Sequence, residues 1–350
     1  IAPVRGRILA ADGQPLAQDL RSGQLTIDFA KVPRSRAFLT DLAAASGIPA
    51  AEFESLAESG AKRKTWLAPL DGPTQEAIDA VRTAWRADGV SVASDGKRAY
   101  PFGPSTACLV GLRRVLKGKD GKPEEVMTGL EASFDTELSG VPGRREGMTD
   151  RTGAFLVSRL VGEQRPKVDG KDVVLTIDTS IQSVAYEALS HAVDDYKGVN
   201  GAAIAIDPKT GDILAMASYP SFHPEAPNPK DRNPGGYNPA IMSALEPGST
   251  FKILTLAKAL DEGKASMSEI IGCGGQMAVG NRAIIRCDMH GGRRAHGPVD
   301  PVKAIAKSCN VSAATWAKRV GRDEFFAFID ETGLVQKPGT GLRGEARGLL

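Results

Sequence analysis

Ser249 and Lys252 stand three residues apart at the head of an apolar helical pattern, directly after Pro247-Gly248. On a helix that spacing puts both side chains on one face, one turn apart, so a lysine amine reaches the serine hydroxyl. Serine at its free pKa is a weak nucleophile and needs an adjacent base. Lysine serves as that base when burial and neighbouring cations hold it neutral. The chemistry implied is covalent attack by a serine oxygen. The same letters also describe an N-capping serine beside a solvated lysine, so the pair alone decides little.

Its neighbours give the pair a place. Pro247-Gly248 breaks the preceding structure, Ile253, Leu254, Leu256, Ala257 and Leu260 predict a buried helical face, and Gly263 is a C-terminal stop. Ser249 therefore falls at a helix N-terminus, where free N–H groups and the dipole favour developing negative charge. Ser308-Cys309-Asn310 follows between two helical stretches. Asp300-Pro301 opens the first as cap and N1 proline, and Val311, Ala314, Thr315 and Lys318 continue the second. A serine hydroxyl and an asparagine amide on such a loop suit a proton relay and an amide-binding group. Singly, Asn310 is also a plausible helix N-cap.

Read in order, further segments widen the pattern. Arg5-Gly6-Arg7-Ile8-Leu9, Asp12-Gly13 and Pro15-Leu16-Ala17 come first, then Gly129-Leu130-Glu131 and Leu138-Ser139-Gly140. Val174-Leu175-Thr176-Ile177-Asp178 with Gln182, then residues 207–216, residues 246–252, His296-Gly297, residues 308–310 and Gly344-Glu345 complete the series. From about Arg5 to Gly348 the chain resembles a class B penicillin-binding protein, a peptidoglycan D,D-transpeptidase. Ser-x-x-K is itself a motif of penicillin-recognising serine enzymes.

The resemblance implies an α+β protein. An elongated pedestal over residues 1–168 would precede the N-terminal portion of a transpeptidase domain over 169–350, an antiparallel sheet with helices. It implies Ser249 as nucleophile, Lys252 as base, Ser308 as proton relay, and Asn310 as the group holding the substrate backbone and the Lys252 amine. It implies no cofactor and no metal. Stem peptides of peptidoglycan are the implied substrate and β-lactams the implied inhibitors. Implied partners are a membrane glycosyltransferase of the SEDS family and other elongation or division proteins. The implied location is exocytoplasmic, behind an N-terminal membrane anchor. The family's third motif, Lys-Thr-Gly or Lys-Ser-Gly, follows the Ser-x-Asn loop. Lys209-Thr210-Gly211 spells it but precedes Ser249, in hairpin-turn composition; Lys337-Pro338-Gly339-Thr340-Gly341 does not match. The motif and three further strands are therefore expected beyond Leu350, with this polypeptide a fragment and the missing segment or chain a partner.

Elements are predicted to support the site as follows. Asp12-Gly13 is a hairpin turn signal, and helices are expected over 37–45, 51–57 and 74–85, the last with Ile78, Val81 and Trp85 on one face. Residues 140–153, rich in Gly, Arg and Asp, predict an exposed loop, and the pedestal's charges predict a solvated surface. A strand over 173–177 leads to a helix capped by Asp178, with an apolar stripe of Ile181, Val184, Ala185, Ala188, Leu189 and Ala192. Residues 202–206 and 213–217 predict two buried antiparallel strands.

Composition agrees with a folded two-domain protein of 350 residues. Lys plus Arg number 44 against 42 Asp plus Glu, too balanced for a nucleic-acid footprint. No run of eighteen apolar residues is present to span a bilayer. Cys108 reads as a small buried residue. Cys273 and Cys287 suit a disulfide or two free thiols, with zinc, aided by His290 and His296, a less favoured use. His191 and His223 read as surface residues. Three other functions share parts of the pattern: a class D β-lactamase, a β-lactam sensor domain, and a non-catalytic cell-wall scaffold.

Overall fold

The computed structural model describes residues 3–69, 72–117, 122–149, 155–225, 233, 236–280, 283–289, 292–293 and 295–349. Its chain divides into two compact units, Ile1–Ala240 with Gly341–Arg343, and Ile241–Thr340 with Gly344–Leu350.

The first unit is organised by one long strand, Pro15–Asp28. It pairs antiparallel with Ile8–Leu9, Arg63–Pro69 and Val90–Ala99. The Ile8–Leu9 hairpin turns at Gly13, whose φ of 80° suits a residue without Cβ. Helices Arg36–Ser46, Ala50–Glu58 and Gly72–Ala84 form close to where the periodicity predicts them. Leu25, Ile27, Phe29, Phe38, Leu42, Phe53, Ile78 and Val90 make their shared core, and Val81 and Trp85 pack against it.

Several expectations for this unit are corrected. Residues 144–149 of the expected loop are a strand, Arg144–Thr149, paired antiparallel with Phe155–Arg165. Cross-strand pairing overrides weak local propensity there, and residues 150–154 lie outside the described residues. The pedestal's charges are not all solvated. Arg5, Arg98 and Glu131 are 4%, 7% and 0% exposed. Glu131 accepts from Arg5 Nε and Arg98 Nε, each at 2.7 Å, while Arg5 also reaches Asp135 at 2.6 Å and Arg98 reaches Asp19 at 3.1 Å. Buried charges survive only when paired and hydrogen-bonded in this way. Finally, the strand expected over 173–177 is confined to Val173–Val174, and it pairs parallel with Ile8–Leu9 in the pedestal sheet.

Asp178 caps the Thr179–Asp195 helix, its carboxylate accepting from the Ser180 and Ile181 N–H groups at 2.9 Å. Gln182, fully buried, ties this helix to its neighbours. Its amide donates to Ser105 O at 2.6 Å and its Oε1 accepts from Met216 N at 2.8 Å. The expected apolar stripe is not the buried face: Ile181, Val184, Ala188 and Ala192 are exposed and Ala185 and Leu189 half-buried, whereas the helix buries Thr179, Gln182 and Val193. Gly201–Ile206 and Ile213–Tyr219 form the predicted antiparallel hairpin, joined to no further strand among the described residues. It is buried mainly along the second strand; Ile204 and Ile206 are exposed on the first, correcting the expectation of two buried strands. Lys209-Thr210-Gly211 lies in the hairpin turn, closed by Gly211 N–H to Asp207 O at 2.8 Å. No helix among the described residues is long and apolar enough to cross a membrane.

The second unit holds helices Phe251–Asp261, Pro301–Ala306, Asn310–Val320 and Arg322–Glu331. Short antiparallel ladders stand beside them: Ile271–Cys273 with Gly297–Val299, and Gln276–Val279 with Ala283–Arg286. Trp316, 1% exposed, centres the core with Ala259, Ile271, Val299, Val311 and Val320. Its indole N–H donates to Glu269 at 2.9 Å, and Arg319 braces the same carboxylate at 2.5 Å. The Phe251–Asp261 helix buries Thr255 and Ala259, while Ile253 and Ala257, expected inside, are exposed. Glu345 folds the 337–341 loop back on itself by accepting from the Gly339 and Thr340 N–H groups and the Thr340 hydroxyl.

Candidate active site

Three side chains meet at the start of the Phe251–Asp261 helix. Gly248–Thr250 forms a 3-10 turn leading straight into it, so Ser249 stands at a helix N-terminus as its spacing predicted. Gly248 takes φ 58°, a left-handed conformation that glycine adopts without strain. Lys252, one turn on, donates from Nζ to Ser249 Oγ at 3.1 Å.

Ser308 comes from the turn after Pro301–Ala306. Asp300 caps that helix by accepting from Lys303 N at 2.7 Å, with Pro301 at its first position. Ser308 then adopts φ 52°, unusual for a residue with a Cβ. The turn holds it by Ser308 N–H to Ile305 O at 2.9 Å and Cys309 N–H to Ala304 O at 2.8 Å. The result is a closed triangle: Ser308 Oγ is 2.7 Å from Ser249 Oγ and 2.7 Å from Lys252 Nζ, and Ser308 O accepts from Lys252 at 2.9 Å.

Asn310 is placed differently from the expectation. Its amide donates to Arg286 O at 2.6 Å, and the carbonyl bound to Lys252 is that of Ser308. Nor is Asn310 the helix cap. Cys309 is, its sulfur accepting from Ser312 N–H at 3.4 Å, and Asn310 is the first helical residue.

Burial holds the Lys252 amine below the usual lysine range, while negative charge on the Cys287 and Cys309 sulfurs pulls the other way. Desolvation, not a neighbouring cation, thus does what the sequence assigned to both. Ser249 and Ser308 are exposed, so the triangle is open to a substrate. A serine oxygen within hydrogen-bond reach of an amine of lowered pKa, with a second hydroxyl bridging both, can lose its proton to that amine and attack a carbonyl.

Comparison with known proteins then places the molecule. Residues 1–175 match the penicillin-binding protein dimerisation domain and residues 201–350 the penicillin-binding protein transpeptidase domain. The chain belongs to the class B penicillin-binding proteins. This penicillin-binding protein is 34% identical to stage V sporulation protein D of Bacillus subtilis strain 168, over 75% of this chain and 39% of that protein. It is 33% identical to the probable peptidoglycan D,D-transpeptidase PenA of Neisseria meningitidis serogroup A, over 73% of this chain and 41% of that protein. It therefore spans about two fifths of the length of those curated relatives. Penicillin-binding protein 2X from Streptococcus thermophilus shares the fold, with a TM-score of 0.72 at 21% identity, covering 100% of this chain and 54% of that one.

Among sequence readings outside the triangle, Cys108 is buried, and His191 and His223 are exposed. All four cysteines are free, so Cys273 and Cys287 are not joined. His290 lies outside the described residues. What the sequence reading missed is Cys309: named only as the middle residue of Ser308-Cys309-Asn310, it is 1% exposed and meets Cys287 across the core at 3.8 Å.

Proposed function

We propose that this chain carries the acylating half of a serine D,D-transpeptidase acting on peptidoglycan stem peptides. The observation that carries the reading is the Ser249–Lys252–Ser308 triangle. Neutral Lys252 takes the proton of Ser249, and Ser249 Oγ bonds to the carbonyl carbon of the penultimate D-alanine. The backbone N–H of Ser249 supplies one donor to the oxyanion. Ser308 passes a proton to the leaving amine as the carbon–nitrogen bond breaks and D-alanine departs. Asn310, on the same loop, offers its amide to the substrate backbone once it turns from Arg286. An amine from a neighbouring stem peptide then displaces Ser249 and forms the cross-link. β-Lactams would acylate Ser249 by the same route.

Residues 1–168 we assign to a pedestal and 169–350 to the N-terminal part of the catalytic domain. The relative PenA is named a probable peptidoglycan D,D-transpeptidase, which supports a place in the cell envelope, facing away from the cytoplasm. A SEDS-type glycosyltransferase and other elongation or division proteins are the partners we assign.

Intact-mass measurement with benzylpenicillin tests the assignment. A stable adduct on the Ser249 peptide, lost in Ser249→Ala, is expected. Covalent penicillin on the alanine variant would sink it. An adduct that forms and is rapidly lost would favour a hydrolase of the β-lactamase kind.

A further inference from the structure

Cys273, Cys287, His296 and Cys309 converge in the core of the second unit, and the serine chemistry uses none of them. Their ligand atoms all lie within 4.8 Å of one another. Cys273 Sγ is 3.7 Å from Cys287 Sγ, Cys287 Sγ is 3.8 Å from Cys309 Sγ, and His296 Nδ1 is 3.5 Å from Cys273 Sγ. These three separations match edges of a coordination tetrahedron. Zinc–sulfur bonds of about 2.3 Å and zinc–nitrogen bonds of about 2.0 Å at tetrahedral angles put sulfurs about 3.8 Å apart and sulfur about 3.5 Å from nitrogen. A disulfide needs sulfurs about 2.05 Å apart, and it would leave a third sulfur and an imidazole gathered to no purpose.

We propose that these four residues form a closed site for a zinc-class divalent cation, which pins the Ser308–Asn310 loop to the 271–299 segment. Three thiolates and an imidazole suit a borderline-soft tetrahedral ion, and four protein ligands leave no open position, the mark of a structural site. On binding, three metal–sulfur bonds and one metal–nitrogen bond form, the three thiol protons pass to solvent, and no electron moves. This replaces the expectation that the cysteines hold no metal.

The surroundings fit. All three cysteines are at most 2% exposed. Cys309 Sγ accepts from the Ser312 N–H at 3.4 Å and hydroxyl at 3.2 Å, donors that stabilise a thiolate ligand. His296 Nε2 is buried with no hydrogen-bond partner among the described residues, so its ring is not committed elsewhere. The ligands come from separate places: the end of Ile271–Cys273, the residue after Ala283–Arg286, the residue before Gly297–Val299, and the cap of Asn310–Val320. The first and third strands already pair, Cys273 opposite Gly297.

The consequence for the loop rests on the acylation reading. Ser308 and Asn310 flank one ligand, and Asn310 is hooked to Arg286, next to another. The cation would therefore hold Ser308 against Ser249 and fix the loop that carries Asn310.

The test uses the full chain, purified under reducing, chelator-free conditions, with metal content measured by plasma emission. Stoichiometric zinc is expected, and replacement by cobalt(II) should give thiolate-to-cobalt charge-transfer bands with tetrahedral d–d absorption. Cys287→Ser and His296→Ala should each lower metal content; where a variant fails to fold, the wild-type cobalt spectrum still decides. Folded, reduced protein that retains no metal and gives no such spectrum overturns the site. So does recovery of a Cys273–Cys287 disulfide, seen as loss of two hydrogens, under the same conditions. Stripping the metal should slow penicillin acylation by roughly tenfold or more, with recovery on adding zinc. A protein that holds zinc but never acylates supports the site and removes the acylation reading instead.

Discussion

Ser249 and Ser308 are 59 residues apart in sequence, yet their hydroxyl oxygens lie 2.7 Å apart, both within reach of the Lys252 amine. Neither hydroxyl is local to the other, so their meeting depends on how the Pro301–Ala306 and Asn310–Val320 helices pack beside Phe251–Asp261. Ser308→Ala removes the bridging hydroxyl and leaves the Ser249–Lys252 contact. Proton relays of this kind are worth about 10²–10⁴-fold, so acylation of Ser249 by benzylpenicillin should slow by about 10²-fold. Time-resolved intact mass measures it, and an unchanged rate would remove Ser308 from the relay.

The acylation rate should rise with pH and level off. Lys252 accepts a proton only when neutral, and burial lowers its pKa from the usual lysine range. Below that pKa the amine is charged and the rate should fall by about tenfold per pH unit. Above it the rate is flat, and the midpoint should lie below that of a free lysine. Lys252→Arg keeps a cation that does not titrate in this range, so its rate should be near background at every pH. A wild-type rate independent of pH would argue against lysine as the base.

Glu131 is the keystone of the first unit's buried charge network. Glu131→Ala leaves the Arg5 and Arg98 guanidinium groups buried without their shared carboxylate. Breaking a buried pair costs about 3–5 kcal/mol, so a clear drop in the unfolding midpoint is expected by denaturant titration monitored by circular dichroism. Tyr100, buried beside this network, has its phenol pushed well above the usual range by desolvation and by Glu131. A loss below about 1 kcal/mol would mean the network is solvated, as surface pairs are.

Lys209→Ala should change nothing catalytic. The Lys209-Thr210-Gly211 sequence imitates a catalytic motif, but it sits in an exposed hairpin turn of the first unit. Penicillin acylation at wild-type rate is expected. A large loss would return the motif to the active site.

Much of this molecule was legible in its sequence because the signals are local. The Ser-x-x-K turn, the Asp300-Pro301 and Asp178 caps, the Asp12-Gly13 turn and the antiparallel hairpin follow from backbone preferences and period within a few residues. Long-range partners decided the rest. Periodicity marked an apolar stripe on Phe251–Asp261 and Thr179–Asp195 but not which side would be covered, so Ile253, Ile181 and Val184 are exposed. Composition could not distinguish a surface glutamate from Glu131, because a buried carboxylate is tolerated only where two arginines distant in sequence converge on it. The segment 144–149 became a strand through a partner that supplied its hydrogen bonds. Cys309 belonged, by sequence, to the Ser-x-Asn loop alone. Only folding brings it to Cys273, Cys287 and His296, since four ligands from four separate elements can be gathered by tertiary packing and by nothing local.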